Sequence, residues 1–494
     1  MNAVVLLLDS LNRHHVGAYG GTEFDTPNLD RLARRSVRFD GHVAGSLPCI
    51  PARHDLLVGA LDFPWRPWGS IELWESSIVA SLRRADVTSV LVSDHPHLFE
   101  TGGENYHTDF TAWDYVRGHE SDPWRTRPDP SFLGAPVVDT GRWHPYDDSR
   151  TWFRAEADYP GPKTMAAAAD WLRRDAPHHD RFFLLVDEFD PHEPFDTPEP
   201  YASMYDPDWS GPRPIWPPYT RKAGAVDERT GRAIRAGYGG KLTMIDAWLG
   251  RVLDVLDETG RWDDTVVILC TDHGHYLGDR GLWGKPPVPI YKTMGHLPLL
   301  IAWPGVAPTS VDALTTTVDL HATLRDLFGV EVGHRTHGRS LAPLVRGEAR
   351  SVREHALAGV WGREVHLVTG DRKYVRAPAG PNAPLSMWSN RWTTMPVPDM
   401  ADLRLPLPDD RAFLDRAPGS TVPVIRQPFR EGDLLPYWAW GGFSGNALYD
   451  LADDPDETRD LAGTAAEKEA ADQLREALLD IEAPGDQLER LGLA

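Results

Sequence analysis

Five short apolar runs, at residues 3–8, 90–92, 182–186, 266–270 and 299–302, constrain this chain more than any other feature. Runs this short and this uniformly apolar suit strands buried on both faces, as in a parallel sheet. Between them, residues 27–35, 71–84, 163–174 and 232–256 repeat apolar side chains at helical spacing. Strands alternating with helices predict an α/β sandwich, a large parallel sheet with helices on both faces. Polar residues stand just past four of the runs: Asp9, Asp94-His95, Asp190-Pro191-His192 and Asp272-His273. Open α/β sheets bind ligands beyond the carboxyl ends of their strands, so these four loops are expected to converge.

A chain of 494 residues exceeds what one ordinary core needs. We expect a catalytic α/β domain over residues 1–350 and a smaller α+β domain over 351–494. The second would hold strand-like pieces at 364–369 and 373–376, a Pro-rich insertion and an amphipathic helix at 465–481. Segments 114–159 and 193–219, rich in Trp and Pro, read as ordered loops over the strand ends, since aromatic side chains need burial. The net charge of −22 argues against nucleic-acid or anionic-membrane partners, but not against a small anionic substrate held by local cations. Two cysteines, Cys49 and Cys270, imply no disulfide framework, and Cys270, within a strand, reads as an inert core thiol. The apolar run at residues 3–8 has no basic leader and is too short for a signal-peptide core. No stretch approaches the ~20 apolar residues of a membrane span, so a cytoplasmic protein is expected. The long C-terminal segment leaves room for a homo-oligomer interface.

Asp9 and Asp272-His273 each end an apolar strand, which places them at one edge of the sheet. Two carboxylates and an imidazole suit a divalent cation of hard or intermediate character. In Cys49-Ile50-Pro51-Ala52-Arg53, the Arg would lie one turn from the Cys at a helix N-terminus, where anions are stabilised.

That pentapeptide resembles the Cys-x-Pro-x-Arg signature of the type I, formylglycine-dependent sulfatases of the alkaline phosphatase superfamily. The resemblance extends to Gly17-Ala18-Tyr19-Gly20, to Thr26-Pro27-Asn28-Leu29-Asp30-Arg31-Leu32-Ala33 and to Gly281-Leu282-Trp283-Gly284-Lys285. It closes at Leu448-Tyr449-Asp450-Leu451, so it spans most of the chain in the right order. It implies an alkaline-phosphatase-like fold and a formylglycine made from Cys49 by a formylglycine-generating enzyme. Asp9, the modified Cys49, Asp272 and His273 would hold one metal ion, which could be Mn, Fe, Ca, Mg or Zn. Arg53 and Lys285 would hold the formylglycine and the substrate's anionic oxygens. One hydroxyl of the hydrated aldehyde would attack, and the second would later lose its proton and expel the bound anion. His192 would serve the leaving oxygen and His97 would be the base for the second hydroxyl. His95 would replace a family Lys in contact with substrate, and His296 is a further substrate-contact candidate.

The chain departs from the family pattern at three places. Ser10 and His273 stand where many members carry Asp and Asn, and Leu56-Leu57-Val58-Gly59-Ala60 replaces Leu-x-Thr-Gly-Arg. Imidazole favours a transition metal over calcium. The Asp-His pair followed by Lys285 is similar to phosphonate monoester hydrolases of the same group. Sulfate-ester hydrolysis is therefore the leading expectation, with a phosphonate monoester or phosphodiester hydrolase as the alternative. A non-catalytic binding protein on the same fold is the alternative of another class, against which the retention of all six core residues argues.

Overall fold

The computed structural model describes residues 1–141, 144–222, 224–395, 408–439 and 441–494. Parts of the expected loop at 114–159 and of the Pro-rich insertion lie outside that set. The central sheet is built from β1 (Asn2–Leu8), β2 (Val37–Val43), β3 (Thr88–Ser93), β4 (Ala112–Tyr115), β5 (Phe182–Glu188) and β6 (Thr265–Cys270). A two-stranded hairpin of β7 (Tyr276–Leu277) and β8 (Trp283–Gly284) follows, and β9 (Leu299–Ala302) and β10 (Thr309–Thr316) complete the sheet. Its eight strands run in the order β10-β2-β9-β6-β1-β5-β3-β4.

The five apolar runs all form strands of this sheet, but one orientation differs from expectation. β9 is antiparallel to both neighbours, β2 and β6, while every other pairing in the sheet is parallel. Parallel neighbours need a crossover, usually a helix, to return the chain. Between β6 and β9 the chain holds only the hairpin, a 3-10 turn and the short helix Lys292–Gly295, so it re-enters the sheet from the same end. β2, β4 and β10 were not foreseen, because their polar residues interrupt the apolar pattern. The helix expected at 71–84 is shorter, Ile78–Arg84, and begins where Ser77 Oγ accepts from the Ala80 amide. Residues ahead of it are tied instead to Asn105, which exchanges hydrogen bonds with the Ile71 backbone.

Alternating side chains of β1 feed two separate cores. Ala3, Val5 and Leu7 pack on the side of the helices Cys49–Val58, Ile78–Arg84 and Val318–Phe328. Val4, Leu6 and Leu8 face the helices Pro27–Ala33, Pro160–Arg174 and Glu228–Glu258. Each such aliphatic side chain contributes about 1.5–3 kcal/mol on burial, which fixes the register of the strands and hence of the residues that follow them.

The chain beyond residue 350 forms a four-stranded antiparallel sheet of Ala356–Gly359, Val365–Val368, Arg372–Arg376 and Ala447–Asp450. The helix Ala465–Asp480 packs on it through Leu474, Ala477 and Leu478. Leu385–Ser389, Phe413–Arg416 and Pro423–Phe429 form a further three-stranded sheet. The four-stranded sheet braces the loop that leads into Cys49. The Leu47 amide donates to Gly359 O at 3.0 Å, and the Gly359 amide donates to Gly45 O at 3.1 Å. Leu61, Phe63 and Val318 join the same apolar cluster as Leu357, Leu367 and Leu474. No helix among the described residues is long and apolar enough to cross a membrane.

Candidate active site

The strand-end residues meet as their positions in the chain require. β1, β5 and β6 are adjacent, with Leu8 beside Glu188 and Leu7 beside Cys270, so Asp9, Asp187 and Asp272 emerge together. The helix Cys49–Val58 points its first turn at them. Ligand atoms of Asp9, Cys49, Asp272 and His273 all lie within 4.8 Å of one another, and all four residues are buried.

The donor set fits a divalent cation. His273 Nδ1 donates to Gly274 O at 2.8 Å, which assigns the tautomer and leaves Nε2 as a lone-pair donor. That Nε2 sits 3.3 Å from Cys49 Sγ and 3.4 Å from Asp272 Oδ2. Asp9 Oδ2 is buried with no hydrogen-bond partner, although Arg53 Nη2 lies 3.0 Å away. Burial, and then the charge of Asp272, drive the Asp9 carboxyl well above its usual range, a conflict that a cation would relieve. Ser10, in a left-handed conformation (φ 60°), donates its hydroxyl to Asp9 Oδ1 at 2.8 Å and its amide to Asp272 Oδ1 at 3.1 Å. The hydroxyl thus orients the carboxylate it adjoins.

Arg53 is the hub of the cluster. Its Nε and Nη2 donate to the two oxygens of Asp187 at 3.0 and 2.7 Å, and its Nη1 donates to Asp272 Oδ2 at 2.5 Å and to Cys49 O at 3.2 Å. Its donors are thus directed at carboxylates and the helix backbone, a different task from the expected grip on substrate. Asp187 was not singled out from the sequence, where it is hidden at the end of an apolar strand.

Lys285 bridges the nucleophile position and His192. Its Nζ stands 3.6 Å from Cys49 Sγ and 2.6 Å from His192 Nε2. Because His192 Nδ1 donates to Glu193 O at 2.7 Å, its Nε2 accepts from the ammonium. Burial holds this ring neutral, with its pKa near 3. The proton facing the site therefore sits on Lys285 and not on His192. Glu193, also missed in the sequence, accepts from Tyr219 Oη and pairs with His275 Nε2 at 3.0 Å.

The remaining histidines divide. His95 reaches the cluster, its Nε2 3.4 Å from Asp9 Oδ2, and neither ring nitrogen has a hydrogen-bond partner. Burial, followed by the charge of Arg53, holds it neutral. His97 lies beside it, with ring centroids 5.3 Å apart, but its Nδ1 faces Glu100 and its Nε2 faces Glu120 at 3.0 Å. Against burial, these two carboxylates raise its pKa to about 10. A ring that donates from both nitrogens has no lone pair for a proton, so the geometry does not fit the expected base. His296 is not brought to the cluster: its Nε2 bonds Asp40 O at 2.6 Å and it lines a separate cavity. Cys270 is buried, and burial raises its thiol pKa far above the usual range.

The family model Sulfatase matches residues 1–330. The chain belongs to the sulfatase family. Among curated relatives of this sulfatase-family chain, choline-sulfatase of Rhizobium meliloti is 29% identical over 409 residues, covering 76% of this chain and 78% of the relative. The multifunctional alkaline phosphatase superfamily protein PehA of Trinickia caryophylli is 28% identical over 386 residues, covering 67% and 74%. Among solved structures, the phosphonate monoester hydrolase of Agrobacterium radiobacter superposes with a TM-score of 0.66 at 20% identity, covering 98% of this chain and 95% of that one. That likeness carries the alkaline-phosphatase-like fold.

Proposed function

We propose that this chain hydrolyses sulfate monoesters, with position 49 as nucleophile after conversion of Cys49 to formylglycine. The observation that carries the reading is the buried convergence of Asp9, Cys49, Asp272 and His273 around Arg53 and Lys285. When present, a divalent cation held by those four residues supplies Lewis acidity, and the aldehyde hydrate at position 49 supplies the attacking hydroxyl. The imidazole of His273 favours Mn, Fe or Zn over Ca or Mg in that place.

The chain's own residues then divide the remaining work. Arg53 locks Asp187 and Asp272 and thereby fixes the first turn of the Cys49 helix. Lys285, its ammonium oriented by the lone pair of His192 Nε2, donates toward the anionic ester and supplies the proton that the departing oxygen needs. His95, neutral and unpartnered, is better placed than His97 to accept a proton from position 49. Three carboxylates, Asp9, Asp187 and Asp272, face two cations, Arg53 and Lys285, leaving one negative charge that a divalent ion inverts. A monoanionic ester neutralises the remainder.

Phosphodiesters and phosphonate monoesters are also monoanions. The Asp272-His273 pair with Lys285 reaching position 49, the pattern that resembles phosphonate monoester hydrolases, carries them as the second reading. Peptide mass spectrometry across Cys49 should show a loss of about 18 Da, the change expected for thiol-to-aldehyde conversion. Co-expression with a formylglycine-generating enzyme should raise the converted fraction, which tests that enzyme as maturation partner. With converted, metal-loaded protein, kcat/KM for an aryl sulfate should exceed that for an aryl phosphodiester. The reverse ranking would replace the first reading with the second, and hydrolysis of neither would return the protein to the binding class.

A further inference from the structure

One cavity opens directly onto Lys285, and its lining is unlike the charged site behind it. About 340 Å3 in volume, it is bounded by Leu47 and Pro48 just ahead of the nucleophile position and by the loop Pro286-Pro287-Val288-Pro289. Tyr219, Tyr437 and Trp438 form its aromatic side. The Tyr219 and Trp438 rings stand 6.5 Å apart, and Tyr437 meets Trp438 edge-on at 5.0 Å. Tyr219 is held from behind by its hydrogen bond to Glu193, and Lys285 Nζ lies 5.9 Å from its ring centre. The cavity therefore adjoins the side of the site where Lys285 meets His192.

Its charge is one-sided. Among the described residues, the lining includes Lys285 and Arg363 but no aspartate or glutamate. Glu364 lies 3.1 Å from Arg363, and Glu193 holds Tyr219 and His275, so both of these carboxylates are committed elsewhere. An aromatic wall alone would suit a cationic guest, but the Lys285 ammonium at the cavity's edge and a lining that offers no carboxylate to a guest oppose one, Arg363 being matched by Glu364. Four prolines, whose backbones offer no N–H, together with Val288, Ile290, Met294 and Val360, leave little to pair with a polyhydroxylated guest.

We infer that this cavity receives the alcohol half of the ester and selects a neutral, flat, apolar alcohol such as a fused-ring or substituted phenol, rejecting quaternary ammonium and sugar alcohols. The inference rests on the sulfate-ester reading but is tested apart from it, by binding of the free alcohol. The apolar faces of Tyr219 and Trp438 would stack on the ring, and the proline loop would close the opposite side.

Quenching of tryptophan fluorescence by 2-naphthol, with choline and glucose as comparison guests, gives the direct measurement. We expect 2-naphthol to bind at least tenfold more tightly than either. Val288→Trp, which fills the cavity, should weaken naphthol binding about tenfold, and Trp438→Ala, which removes the aromatic wall, should weaken it by a similar factor. Inhibition of naphthol-sulfate hydrolysis by inorganic sulfate, which reports the charged site alone, should change less than twofold in both variants. Choline or glucose binding as tightly as naphthol, or unchanged naphthol binding in Val288→Trp, would overturn the inference. Naphthol binding that follows these expectations in a protein that cleaves no sulfate ester supports the cavity assignment and rejects only the hydrolase reading.

Discussion

At the scale of single residues, the site is organised by ion pairs in a buried volume, where losing one partner strands the other. Asp187 illustrates the cost. It grips Arg53 with both oxygens while contacting neither Cys49 nor His273 in the hydrogen-bond pattern. Asp187→Asn should lower kcat/KM by roughly 10- to 100-fold, the usual effect of loosening a group that orients metal ligands. Metal content measured on the same sample should fall with it, and an unchanged metal content and rate would show that Arg53 keeps its place unaided. His54, one residue beyond Arg53, offers a pH test away from the chemistry. Its Nδ1 faces Ala60 O at 3.1 Å and its Nε2 faces Glu75 Oε2 at 2.9 Å, so both nitrogens donate. Burial opposes the charge, but Asp62 and Glu75 raise the pKa to about 9, above the free value of 6.5. The native state thus holds this proton more tightly than the unfolded chain does. The resulting stability is complete below pH 6.5 and is lost as pH rises through 9. Urea denaturation at pH 6 and pH 9.5 should show wild type losing on the order of 2–3 kcal/mol more than His54→Gln across that interval. Equal losses would assign the drop to other groups. The sequence made the residues that follow strands legible, because an apolar run ending in Asp or His announces itself. It hid Asp187, Glu193 and Tyr219, whose importance comes from partners brought from distant segments. It also misjudged His97, because nothing local to the chain shows that Glu120 arrives at its Nε2.

At the scale of elements, long periodic segments were readable and their boundaries were set by contacts the period does not contain. The helix Pro27–Ala33 is an example. Thr26 makes no side-chain cap to it, and its first amides are capped instead by Asp246 from the helix Glu228–Glu258. Asp246 Oδ2 accepts from the Asn28 amide at 2.9 Å, and Oδ1 accepts from Leu29 at 2.7 Å. A carboxylate at a helix N-terminus also meets the positive end of the dipole. Asp246→Ala should therefore cost about 1–2 kcal/mol, the upper part of the range for lost caps, read as a lower urea midpoint at unchanged slope. A change within a few tenths would mean that water replaces the cap. The same logic explains why Gly59 is kept where the surrounding family pattern has been lost. It ends the Cys49 helix at φ 79°, and a Cβ there would stand 2.2 Å from His321 Nδ1. The antiparallel β9 belongs to this scale as well: its apolar composition identified a buried strand, but direction depends on the connection before it and not on the strand itself.

At the scale of the whole molecule, the two sheets are coupled through the loop that carries the nucleophile position. Gly45, Leu47 and Gly359 exchange backbone hydrogen bonds, and Leu61 and Phe63 are buried among side chains from beyond residue 350. Gln487 adds a bond from the last helix, its Nε2 donating to Pro64 O at 2.9 Å. Cation binding at Asp9, Cys49, Asp272 and His273 should therefore stabilise more than the central sheet. A ligand that binds only the native state adds about 2.7 kcal/mol when its concentration is a hundred times Kd. Here it would also offset the excess negative charge of three carboxylates against two cations. Stripping the metal with a chelator should lower the thermal midpoint, and the shift should appear equally in two probes. One is far-UV dichroism, dominated by the helices around the central sheet. The other is fluorescence from Trp361 and Trp388, compared through single Trp→Phe variants of each, because Trp361 is buried against the three-stranded sheet and Trp388 is buried within it. Two transitions, of which only the dichroism step moves on chelation, would show that the smaller sheets melt independently and that the contacts around Leu47 do not transmit the binding energy.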